Sequence, residues 1–260
     1  MIFLQSDYAD TNPCGRQKFE AVWGPAGMQP LIQRIAERYA AVQDSSLTVD
    51  AQVFTLNANP GALASFTDLS PAWADGRQLR MPSSRDYAIE DITAELQTRH
   101  RGVLADAEQR NLQNVARGVL ALVNGRSQFF GAGTRTVRVV FLSDMLHYNA
   151  GARDTDVERG RFNLADEYSR DLFAHAVSEG TLPPSMPLTD LGPDIRFEVY
   201  SVRVPRCTNE PWSGGTTPDF PEIYGAVDQI WYDVFTRLGA DRVELGRTSV
   251  DGIVPVHVRR

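Results

Sequence analysis

Lysine is almost missing from this chain: of 26 basic residues, 25 are arginine and one, Lys18, is lysine. No GxxxxGK[ST] loop occurs, and Lys18 sits in no glycine-rich phosphate context, so lysine-based phosphate or Schiff-base chemistry has one poor candidate. The arginine excess itself reads as GC-rich coding. Cysteine is nearly as scarce. Cys14 and Cys207 stand far apart without a CxxC pair, which excludes a structural zinc site and a disulfide-dense scaffold. Both look unpaired, and with no basic, apolar leader at Met1–Asp7 the expected compartment is the cytoplasm, unless an export segment has been removed. But Cys14 follows the first strand and Cys207 the strand at Ile195–Val202, so both fall at one sheet edge where they could approach, and a disulfide there would favour an oxidising compartment. No apolar run reaches the roughly 18 residues of a membrane span. The motifs GxSxG and HExxH are absent, and Gly131-Ala132-Gly133 precedes a strand pattern instead of following one, so it is no dinucleotide loop. Positive charge is the minority sign. A net charge of −7 would repel phosphate and argues against nucleic acid as a partner.

What is present is an average globular composition, 42% hydrophobic and 23% charged, over 260 residues. No linker or internal repeat divides it, so residues 1–260 are expected to form a single domain. Ile2-Phe3-Leu4 reads as a short buried strand, followed by a loop over Thr11, Asn12, Pro13 and Gly15. Helical spacing covers about 16–23 and 28–42, broken at Gly24-Pro25-Ala26-Gly27. Leu47–Phe54 alternates as a strand and stops at Asn57-Ala58-Asn59-Pro60-Gly61. A helical pattern runs from about 85 to 124, best from Asn111 onward, and ends at Asn124-Gly125. Thr136–Asp144 is the strongest strand, with the near-continuous apolar run of a strand covered on both faces. A helix near 163–179, an alternating strand at Ile195–Val202, a helix near 219–238 and a short strand at Arg242–Leu245 complete the pattern, with Ile253–Val258 as a candidate last strand. Alternation of strands and helices predicts an α/β fold: a mostly parallel central sheet with helices on both sides, a three-layer Rossmann-like arrangement.

Ligands of open parallel sheets bind at the carboxyl ends of the strands, near the point where strand order reverses. The residues just past each strand are therefore the ones to inspect. Ser6-Asp7-Tyr8-Ala9-Asp10-Thr11 follows the first strand, and Ser143-Asp144 ends the central one. Carboxylates and hydroxyls converging there are hard oxygen ligands suited to Mg²⁺ or Mn²⁺.

The order of elements resembles the von Willebrand factor A (vWA) family. The stretch Asn111–Asp144 is similar to that family's third helix and fourth strand, and Trp231–Phe235 with Leu238-Gly239-Ala240 is similar to the last helix of a bacterial vWA-like subgroup. The resemblance implies a protein-interaction module with a metal-ion-dependent adhesion site. That site takes DxSxS after the first strand, a Thr before the third helix and an Asp after the fourth strand. Here Asp7, Ala9 and Thr11 stand in the first motif, Arg110 (before Asn111) at the Thr position, and Asp144 at the last. The site is degenerate, because Ala9 carries no ligand oxygen and Arg110 cannot ligate. Asp7, Thr11 and Asp144 remain as candidate Mg²⁺ ligands. If arginine 110 reaches Asp7 or Asp144, a fixed cation takes the metal's place.

The enzyme alternative uses the same acids. Asp7, Asp10 and Asp144 could hold Mg²⁺ for phosphoester hydrolysis, similar to the haloacid-dehalogenase superfamily, whose DxDxT motif this chain lacks in its second Asp. His147 is a candidate base or ligand near Asp144, and Trp212 a candidate exposed contact. His100, His175 and His257 have no carboxylate-spaced partner. Without a recognisable catalytic set, the expectation is a non-enzymatic module that binds another protein at the edge ringed by loops 57–82, 145–162 and 204–217.

Overall fold

A computed structural model describes residues 1–6, 8–41, 51–56, 81–105, 136–145, 196–205 and 220–254 of the chain. Within them lie five strands, β1 (Ile2–Gln5), β2 (Val53–Leu56), β3 (Thr136–Leu142), β4 (Arg196–Val202) and β5 (Arg242–Arg247). Four helices are described: α1 (Pro13–Trp23), α2 (Met28–Ala41), α3 (Pro82–Ala105) and α4 (Phe220–Arg237). The strands form one sheet in the order β2-β1-β3-β4-β5, and every neighbouring pair is parallel. The expected α/β architecture with a parallel sheet is what the chain adopts. None of the described helices is long and apolar enough to cross a membrane.

Strand order explains composition. β1, β3 and β4 are interior strands, and nearly all of their residues are buried. In β3, Val139 to Leu142 are apolar and buried without a break, as a strand covered on both faces requires. β4 carries the alternating pattern of Ile195–Val202, with Glu198 and Ser201 among its apolar residues, yet Phe197 to Val202 are all buried. Its polar members are satisfied inside. Glu198 stands opposite Arg138 in the β3–β4 register and pairs with it at 2.7 Å and with Arg196 at 2.7 Å. Ser201 Oγ accepts from Gly246 N at 2.8 Å.

Alternation sorts the strand residues onto two faces. Ile2, Leu4, Val53, Val140 and Leu142 join one cluster with Phe19 and Val22 of α1, Leu31 and Ile32 of α2, and Ile92 and Leu96 of α3. On the other parity, Phe3 stacks between Phe54 and Phe141 at 5.2 and 5.0 Å, and Phe141 meets Phe235 of α4 at 5.6 Å.

Boundaries shift where caps and burial override the pattern. α1 begins at Pro13, not at 16, because Asn12 caps it by accepting from Gly15 N at 2.7 Å, and proline suits the first helical position. β2 spans Val53–Leu56, later than the alternation at Leu47–Phe54 suggested. All four of its residues are buried, so alternation is not its signature. The helix expected near 163–179, the best helical stretch after Asn111 and the tail beyond Val254 lie outside the described residues.

Candidate functional site at the carboxyl edge of β1 and β3

The chain runs from β1 outward to β2, then crosses back to β3 on the other side of β1. Strand order therefore reverses between β1 and β3, and their carboxyl ends open the crevice where such sheets bind ligands. Leu4 pairs with Leu142 at the last rung, so Gln5 and Ser6 come level with Ser143 and Asp144.

Asp144 is 1% exposed, and Gln5 holds it twice. Gln5 Nε2 donates to Asp144 Oδ2 at 3.1 Å, and Asp144 N donates to Gln5 Oε1 at 2.9 Å. One side-chain amide thus satisfies both a carboxylate and a main-chain donor that burial would otherwise leave costly. Beyond Asp144 the backbone turns through Met145 at φ 62°, a left-handed value that a long side chain seldom adopts. Three contacts hold it there. Met145 N donates to Ser143 Oγ at 2.8 Å, Trp231 Nε1 of α4 donates to Met145 O at 3.0 Å, and Arg203 Nη1 donates to Asp144 O at 3.2 Å. A backbone conformation so over-determined at a strand end is a mark of sites where geometry matters.

Arg203 is a strut between elements. Its Nη2 bonds Asp228 of α4, and its guanidinium lies 4.1 Å from the Tyr224 ring centroid. Gly246 of β5 packs against this pair at φ +68°, where an added Cβ would come within 2.5 Å of Asp228 Oδ2 and 2.8 Å of Arg203 Nη2. Burial pushes the Asp228 carboxyl above its usual range, against the opposing pull of Arg203.

The segment after β1 is held from below. Ser6 Oγ donates to Leu56 O across to β2. His100 of α3 is fully buried. Its Nδ1 accepts from Trp23 Nε1 at 2.9 Å, which leaves Nε2 to donate to Gln5 O at 2.9 Å. Desolvation lowers its pKa to about 4, opposed by the bond to Gln5 and assisted by Arg101. It acts as a neutral bridge that fixes β1's end against α1 and α3.

Of the residues singled out in the sequence, Ala9, Asp10, Thr11 and Asp144 are described; Asp7, Arg110, Asn111, His147 and Trp212 lie outside the described residues. Asp10 Oδ2 accepts from Arg101 Nε at 3.2 Å, and Thr11 is exposed at the turn before α1. Of the candidate Mg²⁺ ligands Asp7, Thr11 and Asp144, the last two are described and Asp7 is not. Thr11 is exposed, whereas Asp144 is buried with Gln5 Nε2 donating to its Oδ2.

Gln5 and Arg203 were missed, His100 was noted only for lacking a carboxylate-spaced partner, and Lys18 only as a poor candidate for phosphate or Schiff-base chemistry. Lys18 is fully buried. It had a readable signal, since Gly15, Lys18, Phe19, Val22 and Trp23 recur at the spacing of one helix face. A second correction concerns cysteine. Cys14, in the first turn of α1, is disulfide-bonded, contrary to the expectation of unpaired thiols; Cys207 lies outside the described residues.

The fold and edge define an α/β protein with a parallel sheet and a rigid, polar switch point. No protein-family model, curated protein or solved structure matches the chain.

Proposed function

We propose that the chain is a vWA-like, three-layer domain acting as a non-enzymatic protein-interaction module, with its partner docking at the carboxyl edge of β1 and β3. The observation that carries this reading is the Ser143-Asp144-Met145 turn. Gln5, Trp231 and Arg203 hold it in a left-handed conformation at the switch point, while its carboxylate is sequestered from any substrate. A rigid edge built to present loops suits binding, whereas a general base or a metal ligand needs a reachable oxygen. Net charge of −7 favours a protein partner over nucleic acid. The disulfide at Cys14 adds that the module works in an oxidising compartment, since such bonds do not persist among cytosolic thiols.

The test places a photo-crosslinking residue at exposed Thr11, beside the edge, and a control at exposed Arg196, where β4 begins at the opposite end of the sheet. In native-host extract, the Thr11 probe should capture a discrete protein that the Arg196 probe does not. In parallel, phosphoester and peptide substrates with Mg²⁺ or Mn²⁺ should show no turnover. Turnover abolished by Asp144→Ala would replace this reading with the Mg²⁺-dependent hydrolase.

A further inference from the structure

Because the strands are parallel, β3, β4 and β5 also begin together, at the end of the sheet opposite the Ser143-Asp144-Met145 turn. Their register brings Arg138, Glu198 and Arg242 to one rung, with Arg196 two residues earlier on the same face. Glu198 is almost fully buried between two guanidiniums: Arg138 Nε lies 2.7 Å from its Oε2, and Arg196 Nε 2.7 Å from its Oε1. Arg242 turns instead to Glu244, donating through Nε at 2.6 Å, and Arg247 meets the other oxygen of that carboxylate. Asp241, the next acid, accepts from the Phe197 main-chain N–H at 2.7 Å. At this edge four guanidiniums thus stand against three carboxylates.

Arg138 is the misfit in this ladder. Its Nε is buried, and despite the short approach to Glu198 it makes no aligned hydrogen bond. Among the described residues, the terminal nitrogens of Arg138 and Arg196 bond no other group, so each guanidinium keeps most of its five N–H donors in hand. Both side chains reach water, Arg138 at 27% exposure and Arg196 at 58%. The positive potential extends to α2, where burial first and Arg138 second hold the Arg38 pKa below its usual range. Screening confines such fields to about 8–10 Å, so the net −7 of the whole chain does not set the sign here.

We propose that the amino edge of β3 and β4 binds a phosphate-type oxyanion on the outer edges of Arg138 and Arg196. One carboxylate holds both arginines from the inside, so their remaining donors flank a single locus. A guanidinium fork matches a pair of oxygens. A second carboxylate has only two oxygens to divide between two forks, whereas a tetrahedral phosphate presents a separate pair to each. The ligand is small and sits at the far end of the sheet, so the site stands apart from protein docking at the carboxyl edge.

Inorganic phosphate, exchanged for chloride at constant ionic strength, should raise the Tm of the whole chain saturably at millimolar concentration. Arg196→Gln removes an exposed arm and leaves Arg138 beside Glu198, so the chain still folds; phosphate binding should weaken about tenfold. Arg99→Gln makes the same charge change on the exposed side of α3 and should leave phosphate binding unaltered. Equal effects of phosphate and chloride, or equal weakening in the two variants, overturn the proposal. Glu198→Gln supplies a readout that a purely structural ladder does not predict. It removes the competing carboxylate, so phosphate should bind more tightly whatever happens to the basal Tm, and unchanged or weaker binding overturns the site. Succinate at the same ionic strength should protect less than phosphate. Stronger protection by succinate overturns the assignment to a phosphate-type ion.

Discussion

The His100 imidazole accepts from Trp23 through one nitrogen and donates to Gln5 O through the other, so a second ring proton would break the first bond inside the core. Its pKa near 4, below the ordinary 6.5, means that the unfolded chain takes up a proton that the folded chain refuses. Stability is therefore unaffected by this group above pH 6.5 and falls as pH drops from 6.5 to 4. The full loss is on the order of 3 kcal/mol. Urea titrations at pH 7, 5.5 and 4.5 should show this slope in the wild type and a shallower one in His100→Gln; equal slopes would dismiss the imidazole as the cause. Gln5 works at the same scale by polarity instead of charge. Gln5→Leu keeps the volume of a buried strand end but removes one donor from the Asp144 carboxylate and the acceptor of its main-chain N–H, so it should cost about 2–4 kcal/mol. Loss of well under about 1 kcal/mol in a denaturant melt would mean that water replaces the amide without penalty. Neither residue was conspicuous in the sequence. A glutamine inside an apolar strand and a lone histidine on a helix acquire roles only when β1, β3 and α3 come together, from positions 139 and 95 residues apart.

Elements were more legible than residues, for a local reason: helices and strands leave periodic marks, and caps leave short ones. Gly24 to Gly27 separates α1 from α2 as the sequence suggests, with Gly24 N returning to Glu20 O at 2.7 Å. The apolar run of β3 announced an interior strand before any partner was known. β4 misled because two buried polar residues imitate alternation, and only Arg138, Arg196 and the β5 backbone reveal them as satisfied. α1 carries a sharper test. Gly15 is helical, and helix propensity alone predicts that Gly15→Ala stabilises by about 0.5–1 kcal/mol. Contact predicts the reverse, since a Cβ there would sit 1.5 Å from Ala9 O and 2.3 Å from Ala9 C. The backbone of the segment leaving β1 must shift, and the net effect should be a loss of about 1–3 kcal/mol. A raised Tm in Gly15→Ala would show that Ala9 moves aside freely and that the turn is not seated on the helix.

At the scale of the whole molecule, Cys14 ties the first turn of α1 to a distant part of the chain, since the only other cysteine is Cys207. The sequence placed both residues after strands of one parallel sheet, hence at one edge, which permits an approach without requiring a bond. Two effects then compete. Closing so long a loop restricts the unfolded chain and stabilises the fold by about 2–4 kcal/mol in ordinary cases. Against this, a cysteine in the first turn of a helix gains thiolate stability from the aligned backbone dipoles, which favours reduction. The first term is the larger, because a charge at a helix end contributes only about 0.3–1 kcal/mol. Reduction should therefore lower Tm by roughly 5–10 °C for a chain of this size. Cys14→Ser and Cys207→Ser should each melt where the reduced wild type melts, and reductant should not change them further. Thiol titration in denaturant should find no free cysteine before reduction and both after it. If protein from an oxidising host carries two free thiols, or melts at the same temperature with and without reductant, the bridge is no part of the working fold. The argument for an oxidising compartment falls with it.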